Sequence, residues 1–512
     1  MSAYLKQSFL AILLVSASAH FAMAQLRSVT VEIDLSKTYQ TVDNFGASDA
    51  WACQFVGNWP VAKKNKIADL LFSKDTLTDG SPKGIALSLW RFNIGSGSAQ
   101  QGEKSGIKDE WRRAESFLDS PTLYNWRRQA GQLWFLEAAR ARGVAQFLGF
   151  CNSPPVQFTI NHKAYADGGL TNIASNEYTS FASYLVNVIG GVKKNCGVSL
   201  NYISPVNEPQ WAWSDGGQEG CPYSNKEIAA LVKTIDSTFA ASNVPSKLVI
   251  AEAGSINYLF TTGNKPDKGN QINEFFRPSS INYLGNLKSV KKTIAGHSYF
   301  TTSPLSASVA MRRVLADSVS KVPGLGFWQS EYCILGDNEG EINGSKRDPG
   351  MDAALYLATV IHTDLTAANA SAWQWWTALS AYNYKDGLIY IDKNKSDGNF
   401  YTTKMLWGMG NYSRFIRPGA IRIDVSAMVE GATYKPLLIS AFKNGKDFTA
   451  VIINLNSQTI PLNLHINSGN VVLTKRYITS ETSDLKAEPV GSHQKSFKLS
   501  SRSITTITGI TQ

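Results

Sequence analysis

The segment ISPVNEPQWAW, residues 203–213, passes from apolar side chains through an Asn-Glu-Pro triplet to two tryptophans that flank an alanine. Pro209 ends a predicted strand at 200–206, because proline has no amide hydrogen to donate to a sheet. Glu208 therefore lies just beyond a buried strand, where a charged group costs free energy unless it is solvated, paired or used. Two interpretations stay open: an ordinary strand end with the tryptophans in the core, or a carboxyl group held beside a ligand with flat apolar faces.

The same unit, a short apolar run followed by a longer amphipathic stretch, recurs from about residue 43 to 380. The predicted strands are Val42–Gly46, Ile85–Ile94, Ala145–Cys151, Leu200–Val206, Lys247–Ala251, Thr293–Tyr299, Gly324–Ser330 and Ser371–Trp376. The predicted helices include Trp126–Arg142, Glu177–Lys194, Asn225–Ser242 and Ser306–Ser320. Alternating strands and helices indicate an α/β fold, and eight such units favour a (β/α)8 TIM barrel over residues 43–414. A doubly wound open sheet is the main alternative.

Residues 415–512 have a different pattern. Segments such as DFTAVIINLN and NVVLTKRYIT are short, rich in β-branched residues and separated by Gly, Asn and Ser turns, which is typical of an antiparallel β-sandwich. Residues 25–42 contain one more strand candidate, Ser28–Leu35, ahead of the barrel. We expect this strand to pair with the C-terminal sheet, so that both ends of the chain build the side domain.

Residues 1–24 have the features of a signal peptide. Lys6 precedes the apolar run 9–19, and Ala22-Met23-Ala24 forms an A-x-A cleavage pattern before Gln25,. We therefore expect an exported protein, periplasmic or secreted, that is not embedded in a membrane. The net charge of +10 comes from dispersed Lys and Arg residues, which argues against a nucleic-acid partner.

Five cysteines are scattered along the chain, with no CxxC or Cys/His zinc pattern,. An odd number leaves at least one free thiol or an intermolecular link. Cys196 and Cys221 flank one predicted strand and its loop and are a candidate disulfide pair, although connectivity does not follow from sequence. We expect no metal and no cofactor.

Functional side chains of a barrel lie at the C-terminal ends of its strands. Reading only those positions gives two candidate catalytic residues, Glu208 after the fourth strand and Glu331 after the seventh. The candidate binding residues at the same positions are Asp49, Trp51, Arg91, Asn152, Asn207, Trp211, His297, Tyr299 and Trp375.

Carboxylates on strands four and seven face each other across a barrel mouth. Retaining glycoside hydrolysis needs such a pair, one to protonate the leaving oxygen and one to attack the anomeric carbon. Arg91 could keep the attacking carboxylate ionised, Asn207 could bind a sugar hydroxyl, and tryptophans such as Trp211 could stack on sugar faces. The competing interpretation is that both glutamates form salt bridges in rim loops.

Seven motifs occur in the order expected of glycoside hydrolase family 30: NFGASDAW, LSLWRFNIGSGS, CNSPPVQFT, SPVNEPQWAW, GHSYF, WQSEY and AWQWW. The chain resembles that family over nearly all of its mature length, and most of all the branch of endo-β-1,6-galactanases. The resemblance implies that Glu208 is the acid/base and Glu331 the nucleophile of a retaining enzyme.

The resemblance leaves the substrate open. It implies an endo-β-1,6-galactanase, with β-1,6-glucanase or xylanase activity as alternatives in the same family and a non-catalytic carbohydrate-binding protein as the rival from another class. The expected partner is a polysaccharide or oligosaccharide, and we expect a monomer.

Two further segments invite other functions. GSGSAQQG, residues 95–102, is glycine-rich after a strand, but its spacing is not that of a dinucleotide-binding loop,, and we interpret it as a flexible loop of the substrate cleft. The acids of 336–348 lack the spacing of an EF-hand,, which favours a solvated loop over a calcium site.

Overall fold

The computed structural model describes residues 28–428 and 435–512. The predicted signal peptide lies outside the described residues. Eight parallel strands close into a barrel in chain order, so the prediction of a (β/α)8 barrel is confirmed and the open sheet is excluded. Barrel strands one to eight are Asn44–Ser48, Leu89–Asn93, Gln146–Phe150, Tyr202–Ser204, Lys247–Ala253, Val290–His297, Gly326–Glu331 and Ala372–Trp375.

Helices follow every barrel strand and cover the outside of the barrel. The long helices are Val61–Phe72, Ala130–Ala141, Tyr178–Cys196, Asn225–Ala241, Leu305–Ser320, Met351–Thr366 and Lys404–Ser413. Shorter α-helices are Cys53–Val56, Ser98–Gln101, Asn257–Phe260 and Gln271–Phe276, and single 3-10 turns are Gly102–Ser105, Glu110–Arg112, Ser175–Glu177 and Asn338–Gly340. No helix of the described residues is both long enough and apolar enough to cross a membrane.

The helix Asn225–Ala241 illustrates why these segments are helical. The Ser224 side chain accepts a hydrogen bond from the Glu227 amide, and the Glu227 carboxylate accepts one from the Ser224 amide. This capping box satisfies free amides of the first turn. Ile228, Leu231 and Ile235 recur at helical spacing and are buried against the barrel,. The local sequence and the tertiary packing therefore favour the same conformation.

A nine-stranded sheet forms the side domain. Its strands are Val29–Thr41, Ile421–Met428, Leu438–Asn444, Asp447–Asn454, Ile460–Asn467, Val471–Ser480, Ser483–Pro489, Ser496–Leu499 and Ser503–Thr511. The first strand pairs antiparallel with Ile421–Met428 and parallel with Ile460–Asn467, which is the pairing expected from the sequence. All other pairs in this sheet are antiparallel.

The two faces of this sheet are buried against different partners. Along Asp447–Asn454, Val451 and Ile453 join the hydrophobic core of the barrel. Phe448 and Ile452, which alternate with them, join a separate core together with Val31 of the first strand. Successive side chains of a strand point to opposite faces, so the domain has one layer against the barrel helices and one core of its own. Two small sheets complete the fold, Leu118–Ser120 with Leu123–Tyr124, and Thr377–Ser380 with Gly387–Ile391 and Phe400–Thr402.

The candidate disulfide between Cys196 and Cys221 is wrong, since all five cysteines are free and buried. Cys196 ends the helix Tyr178–Cys196, which returns the chain to the N-terminal end of the barrel. Cys221 follows barrel strand four and lies in the loops of the C-terminal end, where its sulfur accepts the Asn172 amide. Closeness in sequence across one strand therefore places the two thiols at opposite ends of the barrel.

Candidate active site

A cavity of about 330 Å³ opens at the C-terminal end of the barrel strands. Its lining residues are Asn207, Glu208, Trp211, Trp213, Gln218, Tyr299, Phe300, Glu331, Leu335 and Trp376. Five of them, Asn207, Glu208, Trp211, Tyr299 and Glu331, are predicted site residues. The cavity therefore contains both candidate catalytic carboxylates.

The backbone positions Glu208 in an uncommon conformation, with φ at +46°. Its amide donates to the Glu252 carbonyl at 2.8 Å, and its own carbonyl accepts the Trp213 indole N–H at 3.0 Å. These contacts hold Glu208 in the left-handed conformation, which residues other than glycine rarely adopt. They turn the carboxyl group out of the strand and into the cavity.

Glu208 is buried, with 7% of the residue exposed. Burial raises its pKa above the usual range, and the nearby Glu331 charge acts in the same direction, while hydrogen bonding and charge attraction from His297 oppose it. Burial disfavours the ionised form of a carboxyl group. Glu208 therefore has the environment of a general acid.

Glu331 is the last residue of barrel strand seven and is held by two donors. Arg91 Nη1 lies 2.5 Å from its Oε2, and the Tyr299 hydroxyl donates to its Oε1 at 3.1 Å. Arg91 is fully buried and also donates from Nη2 to Asn207 Oδ1 at 3.0 Å. A carboxylate fixed by a guanidinium in this way can present a lone pair to a reacting carbon.

The two carboxyl groups are close to each other. One oxygen of Glu208, one oxygen of Glu331 and a ring nitrogen of His297 all lie within 4.8 Å of one another. Retaining glycosidases place the two carboxyl groups about 5–5.5 Å apart, whereas inverting enzymes keep about 6.5–9.5 Å to admit a water molecule. The observed spacing suits direct attack on a sugar carbon.

His297 lies behind the glutamates and does not line the cavity. It is fully buried, with Nδ1 2.9 Å from Glu208 Oε1 and Nε2 3.1 Å from Glu252 Oε2. Although burial alone would lower its pKa, the surrounding carboxylates outweigh that effect and raise it to about 10. The side chain is an imidazolium that bridges two carboxyl groups, which differs from the sugar-contacting role predicted from the sequence.

Glu252, near the end of barrel strand five, is the third carboxylate of the site. Burial would raise its pKa, but the Arg91 charge, His297 and hydroxyl donors outweigh burial and lower it to about 2. The hydroxyls of Ser204 and Ser330 each donate to it at 2.5 Å. Glu252 is therefore a permanent anion beneath His297.

These assignments balance the charges of the site. Arg91 and His297 are cations, and Glu252 and Glu331 are anions. The buried cluster is neutral when Glu208 carries a proton and negative when it does not. Since an uncompensated buried charge is costly, the cluster itself favours the protonated form of Glu208.

Barrel strands one and three contribute buried polar groups beside this cluster. Asp49 Oδ1 accepts the Asn93 amide at 2.8 Å, while its Oδ2 has no hydrogen-bond partner. Burial raises the pKa of Asp49 to about 8. Both amide atoms of Asn152 are also buried without partners. Such groups are costly unless a ligand satisfies them, but neither residue is part of the cavity wall.

The tryptophan after barrel strand eight that lines the cavity is Trp376, whereas the sequence favoured Trp375. Trp375 is fully buried and donates its indole N–H to the Asp386 carbonyl at 2.6 Å. Trp376 packs edge-to-face on Trp51 at 5.2 Å, and Trp51 is itself 7% exposed. Trp51 therefore supports the wall that Trp376 forms.

Glu208, His297 and Glu331 also form the one group of three potential metal ligands within the described ranges. His297 would have to lose its proton to bind a metal, yet both of its ring nitrogens face carboxylates and its pKa is raised to about 10. The donor set suits proton transfer better than metal binding.

The glycine-rich segment 95–102 is anchored rather than flexible. Its residues 95–98 are buried, and the amides of Ser96 and Ser98 donate to the Glu219 carboxylate at 3.0 and 3.2 Å. An internal carboxylate thus occupies the amides that a phosphate would otherwise bind. The acidic loop 336–348 is largely exposed.

Several cavity residues were not found from the sequence. Gln218, Phe300 and Leu335 lie in loops after strands four, six and seven, one to ten residues beyond the predicted strand-end positions. Phe300 directly follows Tyr299 in the GHSYF motif, so extending the reading by one residue would have included it.

Comparison with known proteins places the whole chain in context. A family model described as O-Glycosyl hydrolase family 30 matches residues 28–390. An endo-β-1,6-galactanase of Hypocrea rufa is 23% identical over 419 residues, 79% of this chain and 78% of the relative. A glucuronoxylanase of Bacillus subtilis is 24% identical over 375 residues, 69% of this chain and 71% of the relative. The crystal structure of a conserved exported protein from Bacteroides fragilis is 34% identical, with a TM-score of 0.85, and covers 94% of this chain and 100% of that chain.

Proposed function

The chain belongs to O-glycosyl hydrolase family 30, and we propose that it hydrolyses a β-linked polysaccharide with retention of configuration. The observation that carries this proposal is the glutamate pair: oxygens of Glu208 and Glu331 lie within 4.8 Å, and only Glu331 is paired with a guanidinium. This asymmetry is what two carboxyl groups with different tasks require.

In the first step, Glu331 attacks the anomeric carbon while Glu208 donates its proton to the glycosidic oxygen, so that the leaving sugar departs as an alcohol. In the second step, Glu208 takes a proton from water, and the water oxygen displaces Glu331 from the anomeric carbon. Arg91 and Tyr299 hold Glu331 in position during both steps.

The first candidate substrate is β-1,6-galactan, cleaved within the chain, because the Hypocrea rufa relative carries that activity. Xylan is the second candidate, because the Bacillus subtilis relative is a glucuronoxylanase. β-1,6-Glucan remains the third.

The deciding experiment incubates the purified protein with β-1,6-galactan, β-1,6-glucan and glucuronoxylan, and follows new reducing ends and the anomer first released. We expect turnover of one polymer with a β product, and no turnover by Glu331→Gln. Binding of a polymer without hydrolysis would instead indicate a carbohydrate-binding protein. An α product would contradict retention.

We also propose that the protein is exported, on the basis of the signal-like residues 1–24 and the exported Bacteroides fragilis relative. N-terminal sequencing of protein from the native host should begin at Gln25. A mature chain that retains Lys6 would contradict export by this signal.

A further inference from the structure

Phe300 combines a place at the cavity wall with two properties that are unfavourable in a residue without a ligand. It is 70% exposed, it lies at the cavity wall, and its φ of +61° is in the left-handed region. A turn in that conformation is ordinarily made by glycine or asparagine, and a bulky residue there is a strained exception. The chain thus holds an apolar ring in water at an unfavourable backbone angle, beside the candidate acid.

Trp211 completes a corner with this ring. The two rings are 6.1 Å apart and nearly perpendicular, at 88°. Tyr258 also packs edge-to-face on Trp211, with the ring centroids 5.9 Å apart. A Cβ added to Gly254 would lie 2.4 Å from the Trp211 indole nitrogen, so the glycine leaves room for the indole. We call Trp211 and Phe300 the aromatic corner.

The aromatic corner lies beside Glu208, the residue that would protonate the leaving oxygen. Trp211 follows Glu208 by three residues in the same turn, and its amide donates to the Glu208 carbonyl at 3.2 Å. Trp211, Tyr258 and Phe300 come from the loops after strands four, five and six. The opposite wall, with Trp376 and Trp51, comes from the loops after strands eight and one.

We propose that the aromatic corner binds the sugar ring on the leaving-group side of the scissile bond, with the apolar face of a pyranose against one ring and its edge against the other. This inference rests on the proposed function and deepens it. An enzyme with this subsite binds the polysaccharide on both sides of the scissile bond. Its glycosyl-enzyme intermediate can then react with a bound sugar in place of water.

Transfer of the glycosyl group from Glu331 to an acceptor sugar measures how well this subsite binds a sugar. The acceptor hydroxyl oxygen bonds to the anomeric carbon, the bond from that carbon to the Glu331 oxygen breaks, and the hydroxyl proton passes to Glu208. Water and the acceptor compete for the same intermediate. The ratio of transfer to hydrolysis is therefore independent of how much active enzyme is present and of how fast the intermediate forms.

The experiment uses the tetrasaccharide of whichever polymer the wild-type enzyme hydrolyses, at saturation, and counts products longer and shorter than the tetrasaccharide. In Phe300→Ala the ratio of transfer to hydrolysis should fall roughly tenfold, the size expected for losing one aromatic stacking contact. Phe300→Trp should keep the ratio. Tyr401→Ala is the matched control, since Tyr401 is 48% exposed and outside the cavity wall.

Three outcomes separate the two levels of the proposal. No turnover of any of the three polymers would overturn the proposed function. Turnover with an unchanged ratio in Phe300→Ala would overturn the subsite alone. Hydrolysis by the wild-type enzyme without any transfer at saturating tetrasaccharide would likewise show that no sugar is held on the leaving-group side.

Discussion

Replacing Glu252 by glutamine tests whether a residue that touches no substrate keeps the acid protonated. The substitution removes one negative charge and retains the shape of the side chain, and its single amide oxygen can still accept one of the two hydroxyls, Ser204 on Oε1 or Ser330 on Oε2,. With Glu252 gone, the cluster of Arg91, His297 and Glu331 carries one excess positive charge when Glu208 is protonated. The variant regains neutrality only by losing a proton.

That proton leaves from one of two places, and both impair catalysis. If Glu208 ionises, no general acid remains. If His297 loses its proton instead and becomes a neutral imidazole, its Nδ1 can accept a hydrogen bond, and the Glu208 proton is drawn toward it across the 2.9 Å contact and away from the leaving oxygen.

The size of the effect follows from the geometry. Across the imidazole the carboxyl groups of Glu208 and Glu252 are roughly 8 Å apart, where an effective dielectric constant of about 20 gives an interaction of about 2 kcal/mol. Because about 1.4 kcal/mol corresponds to tenfold, kcat/KM on a natural oligosaccharide should fall roughly tenfold to thirtyfold at neutral pH. The loss should be recovered at acid pH, since the basic limb of the profile moves to lower pH.

The assay is the pH dependence of kcat/KM for two substrates, an oligosaccharide and the corresponding glycosyl fluoride. The fluoride ion of the second substrate leaves without being protonated. The fluoride should react with the Glu252→Gln variant at nearly the wild-type rate. Ser330→Ala, which removes a hydroxyl but no charge, is the control and should leave the basic limb in place. An unmoved basic limb in Glu252→Gln, or an equal loss on the fluoride, would refute the charge balance.

Three further predictions concern other parts of the site. With an activated substrate and azide, Glu208→Ala should yield a β-glycosyl azide and Glu331→Ala the α product, as read by NMR; the opposite pattern would exchange the two assigned roles. Trp375→Phe should lower the free energy of unfolding by about 1–3 kcal/mol, because it removes a buried hydrogen bond and part of a buried ring, whereas Trp376→Ala should chiefly raise KM; the reverse would restore Trp375 to the cavity. Phe300→Gly should be more stable to denaturant than Phe300→Ala by about 1 kcal/mol, because glycine accepts a positive φ; equal stabilities would remove the argument from strain.

The barrel and its two opposed glutamates were predictable because both depend on short-range regularities. A buried strand reads as an apolar run, and the first polar residues after it mark its C-terminal end, which in this fold is the functional end. Every one of the eight predicted strands overlaps an observed strand. Glu208 and Glu331 follow from that placement alone, without knowledge of their contacts.

The choice of Trp375 over Trp376 depended on which residue was taken as the end of strand eight. Side chains alternate along a strand, so Trp373 and Trp375 share the outward face and stack at 6.1 Å, while Gln374 and Trp376 point inward. A change of one residue in the assumed strand end exchanges the two faces. The polar Gln374 among tryptophans was the available signal for the correct parity.

The role of His297 could not be predicted because its partners come from distant parts of the chain. Glu252 and Glu208 are 45 and 89 residues away from it. A histidine at a strand end suits sugar binding as well as proton control, and only its complete burial between two carboxyl groups distinguishes them.

The arrangement divides the site between two halves of the barrel. Strands four to six supply the proposed acid Glu208, then His297 and Glu252, whose charges act on its proton, and the aromatic corner. Strands seven, eight, one and two supply the proposed nucleophile Glu331, the arginine that pairs with it, and the wall that contains Trp376 and Trp51. Arg91 joins the halves, since its guanidinium reaches Glu331 at 2.5 Å and Glu252 at 3.8 Å. Loop changes on one half can therefore alter which sugar is bound on that side, while the buried charges that fix the two roles stay unchanged.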